Sequence, residues 1–227
     1  GLDRETIRMQ ISTPASPPEV TEIDLRSGKS RQLKISVPPN GHDSANYIVK
    51  RHYGVSGDGQ LVPLTIVHHK DVVPNHGSPV LLTGYGAYGM SLTPRFSATR
   101  RILLTRGVIH VTAHVRGGME KGYQWYRSGR MADKDKSFDD FVGAAESLIR
   151  DGYTSAGHII IHGGSAGGLL VGAVAMRRPE LFRGVIADVP FVDVLKTMLD
   201  ADLPLTPPEW PEWGNPIESE DAKRRLS

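Results

Sequence analysis

Ile159 to Met176 reads IIIHGGSAGGLLVGAVAM: a β-branched run, a cluster of glycines around one serine, then an apolar run of helical character. Within it, Gly163-Gly164-Ser165-Ala166-Gly167 fits G-x-S-x-G, a strand-to-helix turn so sharp that only small residues fit two positions either side of the serine. Ser165 is thereby expected at the apex, its hydroxyl projecting from the sheet as a nucleophile. The N–H of Ala166, at the positive end of the following helix, is expected to face a developing oxyanion. A glycine-rich turn with a buried serine gives the same five letters, and it is the strand before and the helix after that favour the nucleophile.

Working outward, the chain alternates strand and helix on both sides of this turn. Tyr47 to Val55 and Leu61 to His69 predict a hairpin across Ser56-Gly57-Asp58-Gly59. Val80-Leu81-Leu82 predicts a buried strand, Phe96 to Arg106 an amphipathic helix, and Val108 to Val115 a strand. Phe138 to Arg150 predicts a helix capped by Ser137, with Ile159 to Ile161 the strand into the turn. Ala166 to Arg177 predicts the next helix and Gly184-Val185-Ile186-Ala187 one more strand, apolar throughout. An antiparallel hairpin feeding a parallel, helix-covered sheet is the order of an α/β-hydrolase. After Val189 the chain reads as irregular and charged.

Residues 1 to about 37 differ. Thr6 to Ile11, Val20 to Leu25 and Gln32 to Ile35 alternate as half-buried strands without a helix, and Val37-Pro38-Pro39-Asn40-Gly41 reads as a linker. The expected division is residues 1–37 as one unit and 38–227 as the catalytic unit.

Composition narrows the function. The 227 residues carry a net charge of +2, and their basic pairs are scattered, so neither nucleic acid nor a membrane is an expected partner. The absence of cysteine excludes disulfides and thiolate chemistry and favours a reducing compartment, the cytoplasm. No histidine set has metal-ligand spacing, and neither metal nor cofactor is expected.

A serine hydrolase needs two oxyanion donors, a base and an orienting carboxylate. Gly84-Tyr85-Gly86-Ala87-Tyr88-Gly89 falls where the second donor is required. All nine histidines precede Ser165, whereas triads on this fold run serine, acid, histidine. His162, three residues before the serine, and His110 and His114 read as structural, while Asp188, Asp193, Asp200 and Asp202 follow the serine without a strand to place them as the triad acid.

Tyr85-Gly86-Ala87-Tyr88-Gly89, Arg116-Gly117-Gly118-Met119-Glu120, Ser137-Phe138-Asp139-Asp140-Phe141 and the Ser165 motif together resemble the prolyl oligopeptidase family of serine peptidases. Val189-Pro190-Phe191-Val192-Asp193 and Glu212-Trp213-Gly214-Asn215-Pro216 resemble its oligopeptidase B, or protease II, branch. The resemblance implies a β-propeller joined to an α/β-hydrolase domain, with residues 1–37 as the end of the propeller and the rest as a catalytic domain cut before its last strands. It implies Ser165 as nucleophile, the Tyr85 hydroxyl and the Ala166 N–H as oxyanion donors, and Glu209, Glu212 and Tyr88 as substrate-binding residues. The triad Asp and His would lie on the remainder of the same polypeptide, and the substrates would be short peptides.

Register by resemblance puts Glu209 where the proline-cleaving branch stacks a tryptophan, which favours cleavage after Arg or Lys. Pro211 stands where the basic-specific branch has a second acid, and a slip of one residue would bring Trp210 into place and restore a proline preference. An esterase and a non-catalytic binding module of the same fold remain the alternatives.

Overall fold

In the computed structural model, which describes residues 5–39 and 41–227, Thr6–Ile11 (β1), Glu19–Asp24 (β2) and Ser30–Ile35 (β3) form an antiparallel meander of their own. β1 and β3 are exposed along their whole length, so the apolar Ile7, Met9, Leu33 and Ile35 reach solvent. Asn40 of the expected linker and residues 1–4 lie outside the described residues.

The second sheet contains Tyr47–Val55 (β4), Leu61–His69 (β5), Val80–Thr83 (β6), Ile109–Ala113 (β7), Ile159–Gly164 (β8) and Phe182–Asp188 (β9). Its order is β4-β5-β7-β6-β8-β9. β4 and β5 pair antiparallel, as do β5 and β7, and every pairing from β7 to β9 is parallel. An antiparallel hairpin at one edge followed by parallel strands that are joined through helices is the α/β-hydrolase arrangement expected from the sequence.

Period-2 alternation decides which side chains enter the core. Leu64 and Ile66 of β5, Leu82 of β6, Ile109 and Val111 of β7, and Ile159 and Ile161 of β8 all fall on one buried face. Against it pack Asp135–Arg150 (α3) and Ala166–Arg177 (α4). α3 presents Phe138, Phe141, Ala145 and Leu148 at helical spacing, and each large side chain buried there contributes about 1.5–3 kcal/mol. Gly143 lets α3 approach the sheet, since a Cβ there would stand 2.2 Å from the Val55 carbonyl oxygen. Ala98–Leu104 (α1) lies against β7 and β5, and Tyr123–Arg127 (α2) follows the loop after β7.

Several boundaries differ from expectation. α1 is shorter than Phe96 to Arg106, because Ser97 caps it by accepting from the Arg100 N–H. Ser137 does not cap α3, which starts two residues earlier; its buried hydroxyl instead donates to the carbonyls of Arg116 and Gly129. Beyond Val189 the chain is not irregular: Val194–Leu199 (α5), Thr206–Trp213 (α6) and Glu220–Leu226 (α7) are helices. Val194, Met198 and Trp213 join Ala87 and Ala166 in a second small core beside the serine turn.

Candidate active site

β8 runs into α4 through a single residue, Ser165, with φ 54° and ψ −119°. That backbone conformation is disfavoured for a residue bearing a Cβ and persists only where its surroundings over-determine it. They do so here through three main-chain hydrogen bonds: the Ser165 N–H donates to the Asp188 carbonyl at 2.9 Å, and its carbonyl accepts from Gly168 and Phe191 at 2.9 Å each. The glycines on either side are steric requirements. A Cβ on Gly163 would stand 2.0 Å from the Gly167 carbonyl oxygen, and one on Gly167 would stand 2.8 Å from that of Gly84.

Ala166 is the first residue of α4, and the opening N–H groups of a helix have no partner within it. The loop after β6 carries Tyr85, whose predecessor Gly84 is tied to β8 by an N–H bond to the His162 carbonyl at 3.2 Å. Burial raises the Tyr85 pKa above its ordinary value; the Ser165 hydroxyl acts against this as a hydrogen-bond partner, and the charges of Glu209 and Glu212 add to it. Nucleophile, phenol and two carboxylates therefore share one neighbourhood, and the phenol keeps its proton at neutral pH.

α6 supplies the acidic side. The Tyr88 hydroxyl donates to Glu209 Oε2 at 2.9 Å and accepts from Trp213 Nε1 at 3.1 Å, and the same indole N–H reaches Glu209 Oε2 at 3.2 Å. Tyr88 itself has φ 58°, and burial foremost holds its pKa above the usual phenol value. Glu212 points inward: it is 2% exposed, and its Oε1 accepts from Lys134 Nζ at 3.1 Å. Lys134 also donates to the Gly86 carbonyl at 2.6 Å, and burial lowers its pKa against the opposing effect of Glu212. Trp210 turns the other way, its indole N–H donating to the Met198 carbonyl. Pro211 sits exposed inside α6.

Among the described residues no histidine is hydrogen-bonded to Ser165. His162 Nε2 stands 2.8 Å from Asp188 Oδ2, His110 faces Thr83, and His114 lies between Thr65 and Glu120. The sequence named His162 and Asp188 separately and gave no sign of their pairing, which arises because β8 and β9 run parallel with Gly164 opposite Asp188. Lys134 was missed altogether, since nothing local distinguishes it from a solvated lysine. Among the described residues no group of three or more His, Cys, Asp or Glu is placed to hold a metal, and no helix is long and apolar enough to cross a membrane.

The comparisons with known proteins agree with this geometry. Residues 94–227 match the model of the prolyl oligopeptidase family. The chain is 41% identical over 213 residues to dipeptidyl aminopeptidase BI of Pseudoxanthomonas mexicana, covering 93% of this chain and 29% of that protein. It is 40% identical over 221 residues to protease 2 of Moraxella lacunata, covering 97% and 32% respectively. Among solved structures, oligopeptidase B from Leishmania major superposes with a TM-score of 0.90 at 40% identity, over 99% of this chain and 31% of that one. The chain thus spans about a third of the length of the relatives it matches. With the serine turn, the tyrosine loop and the strand order all in place, the chain belongs to the prolyl oligopeptidase family.

Proposed function

We propose that this chain is the nucleophile-bearing part of a serine peptidase that cleaves short peptides after Arg or Lys. In this reading Ser165 Oγ attacks the scissile carbonyl, and the Tyr85 hydroxyl and the Ala166 N–H receive the oxyanion. The base and its orienting carboxylate come from the remainder of a longer polypeptide, in keeping with relatives of which this chain spans 29% and 32%. The observation that carries the substrate class is the seating of Glu209. Both of its hydrogen bonds fall on Oε2, from Tyr88 and Trp213, so the carboxylate is oriented while Oε1 stays available to a guanidinium or ammonium.

Residues 209 and 210 are adjacent on α6 and project about 100° apart, so only one of them faces the Tyr88 loop. Glu209 faces it and Trp210 faces α5, which favours the basic preference over proline. Glu212 supports the pocket through Lys134 rather than by offering a free charge.

The test compares fluorogenic peptides ending in Arg, Lys or Pro for the full-length enzyme, its Glu209→Gln variant and, as control, Ser165→Ala. Loss of one charge-assisted bond, about 1.5–3 kcal/mol, predicts a fall in kcat/KM for Arg of about 10- to 100-fold in Glu209→Gln. Proline cleaved best, or an Arg preference untouched by the variant, would overturn the assignment. Turnover that survives Ser165→Ala would remove the nucleophile.

A further inference from the structure

Lys134 is not used by the proposed chemistry, yet it is held where a lysine is rarely found. Its side chain is 14% exposed, with Nζ donating to the Gly86 carbonyl at 2.6 Å and to Glu212 Oε1 at 3.1 Å. The ammonium also lies 4.7 Å from the centroid of the Trp213 ring. These three partners belong to two segments remote from each other in sequence. Gly86 directly follows Tyr85 on the loop after β6, whereas Glu212 and Trp213 lie on α6 about one turn beyond Glu209. Lys134 belongs to neither, standing at the start of α3.

We propose that Lys134 is a positioning residue that locks the oxyanion loop to α6, fixing the Tyr85 hydroxyl and the Glu209 carboxylate relative to Ser165. The inference rests on the reading of Ser165 as nucleophile and Tyr85 as oxyanion donor. The Gly86 peptide is clamped from two sides. Gly117 approaches so closely that a Cβ there would stand 2.0 Å from the Gly86 oxygen, and the ammonium holds that same oxygen from Lys134. A charge-assisted bond to a carbonyl in a water-poor site is stronger and shorter than a neutral one, so it sets the orientation of the Gly86–Ala87 peptide, one residue beyond Tyr85. Tyr88 supplies a second tie between the same two segments through Glu209 and Trp213. Without the ammonium, the Gly117 approach and the Gly84 N–H bond to the His162 carbonyl still hold the loop to the sheet side, but the Gly86 oxygen loses its link through Lys134 to Glu212, so the Tyr85 end can shift relative to α6 while the Tyr88 end stays anchored to it. Oxyanion stabilisation depends on donor placement at the level of 1 Å, so such a shift acts on the chemical step.

A purely structural Lys134, present to neutralise Glu212, would alter stability and leave turnover per active site alone. The experiment therefore measures kcat and KM per titrated Ser165 in the full-length enzyme for Lys134→Met, Tyr85→Phe and the double variant. Lys134→Met should lower kcat by about 10- to 100-fold, and by no more than about twofold when added to Tyr85→Phe, because both act through one hydroxyl. Lys134→Met/Glu212→Gln, which leaves no unpaired buried charge, should show the same loss of kcat and guards against a folding defect. Equal losses in both Tyr85 backgrounds, or a lowered Tm with kcat intact, would overturn the proposal. Hydrogen exchange over residues 84–89 and 206–213 decides independently of catalysis: joint acceleration in Lys134→Met supports the lock, and unchanged exchange sinks it. If Tyr85→Phe leaves kcat unaltered, it is the reading of Tyr85 that fails, and the exchange data alone then settle whether Lys134 joins the two segments.

Discussion

Replacing Asp140 by leucine should be among the most damaging single changes in this chain, although its side-chain hydrogen bonds go to Arg116 and not to Ser165, Tyr85 or Glu209. Asp140 is fully buried, and its carboxylate receives Arg116 Nε at 2.9 Å and the Arg116 backbone N–H at 2.8 Å. The guanidinium continues to Asp58 Oδ2 at 2.6 Å and Ser56 Oγ at 3.1 Å. Burial works against the charge of Arg116, but the hydrogen bonds and charges of Asp140 and Asp58 outweigh it, and the net pKa stands above the ordinary arginine value. Without Asp140 the arginine remains ionised and keeps the neutral Ser56 hydroxyl and, among the described residues, Asp58 alone as a charged partner, whose side chain is 44% exposed. An uncompensated buried charge costs about 3–5 kcal/mol, whereas removing both partners together is often neutral. Urea titration followed by circular dichroism should show that loss for Asp140→Leu and a recovery of most of it for Arg116→Met/Asp140→Leu. A single variant within about 1 kcal/mol of wild type, or a double variant no better than the single, would refute the reasoning.

Two further outcomes follow from burial. His110 is held neutral by desolvation first and by the nearby positive Arg100 next, which brings its pKa from 6.5 down to about 3. The unfolded chain therefore takes up a proton that the folded chain refuses, so the His110 contribution is intact above pH 6.5 and is lost progressively as pH falls towards 3. His110→Gln should flatten that acid limb in melts across the same window, and an unchanged pH profile would exclude His110 as its source. β9 is the edge of the second sheet, with Val185 and Ile186 44% and 45% exposed, so the 227-residue polypeptide should self-associate there. Ile186→Lys should raise the monomer fraction in sedimentation velocity; a wild-type chain already monodisperse would count against a sticky edge.

The strands and helices around Ser165 were legible because each carries its own periodic signal. The hairpin of β4 and β5 and the span of α4 follow from local pattern alone, with the limits expected. The helices after Val189 were not read, for two different reasons. α6 contains three prolines and two acids among eight residues, so its composition resembles a loop, and its helicity depends on packing Trp213 against Phe191 and Tyr88. α7 did carry a readable signal: Ser219 accepts from the Ala222 N–H, acids fill its first turn and Lys223, Arg224 and Arg225 its last. Of the candidate site, the serine turn was legible because sterics demand glycine at fixed spacing. The contact of Tyr88 with Glu209 and the burial of Lys134 were not, because they join segments far apart in the chain and are set by tertiary packing.

The prolines of α6 also change the entropy balance of the segment that carries Glu209. Pro207 and Pro208 occupy the second and third helical positions, where backbone N–H groups would lack an intrahelical partner, so two unsatisfied donors never exist. Pro211 lies deeper and gives up one intrahelical bond, yet all three rings have already narrowed the conformations open to the chain before it folds. At compatible positions each such restriction is worth about 0.4–1 kcal/mol through the unfolded state. If Glu209 receives the basic side chain as proposed, a carboxylate mounted on so stiff an arm has little freedom left to surrender when the cation docks, and binding then draws more fully on the ion pair itself.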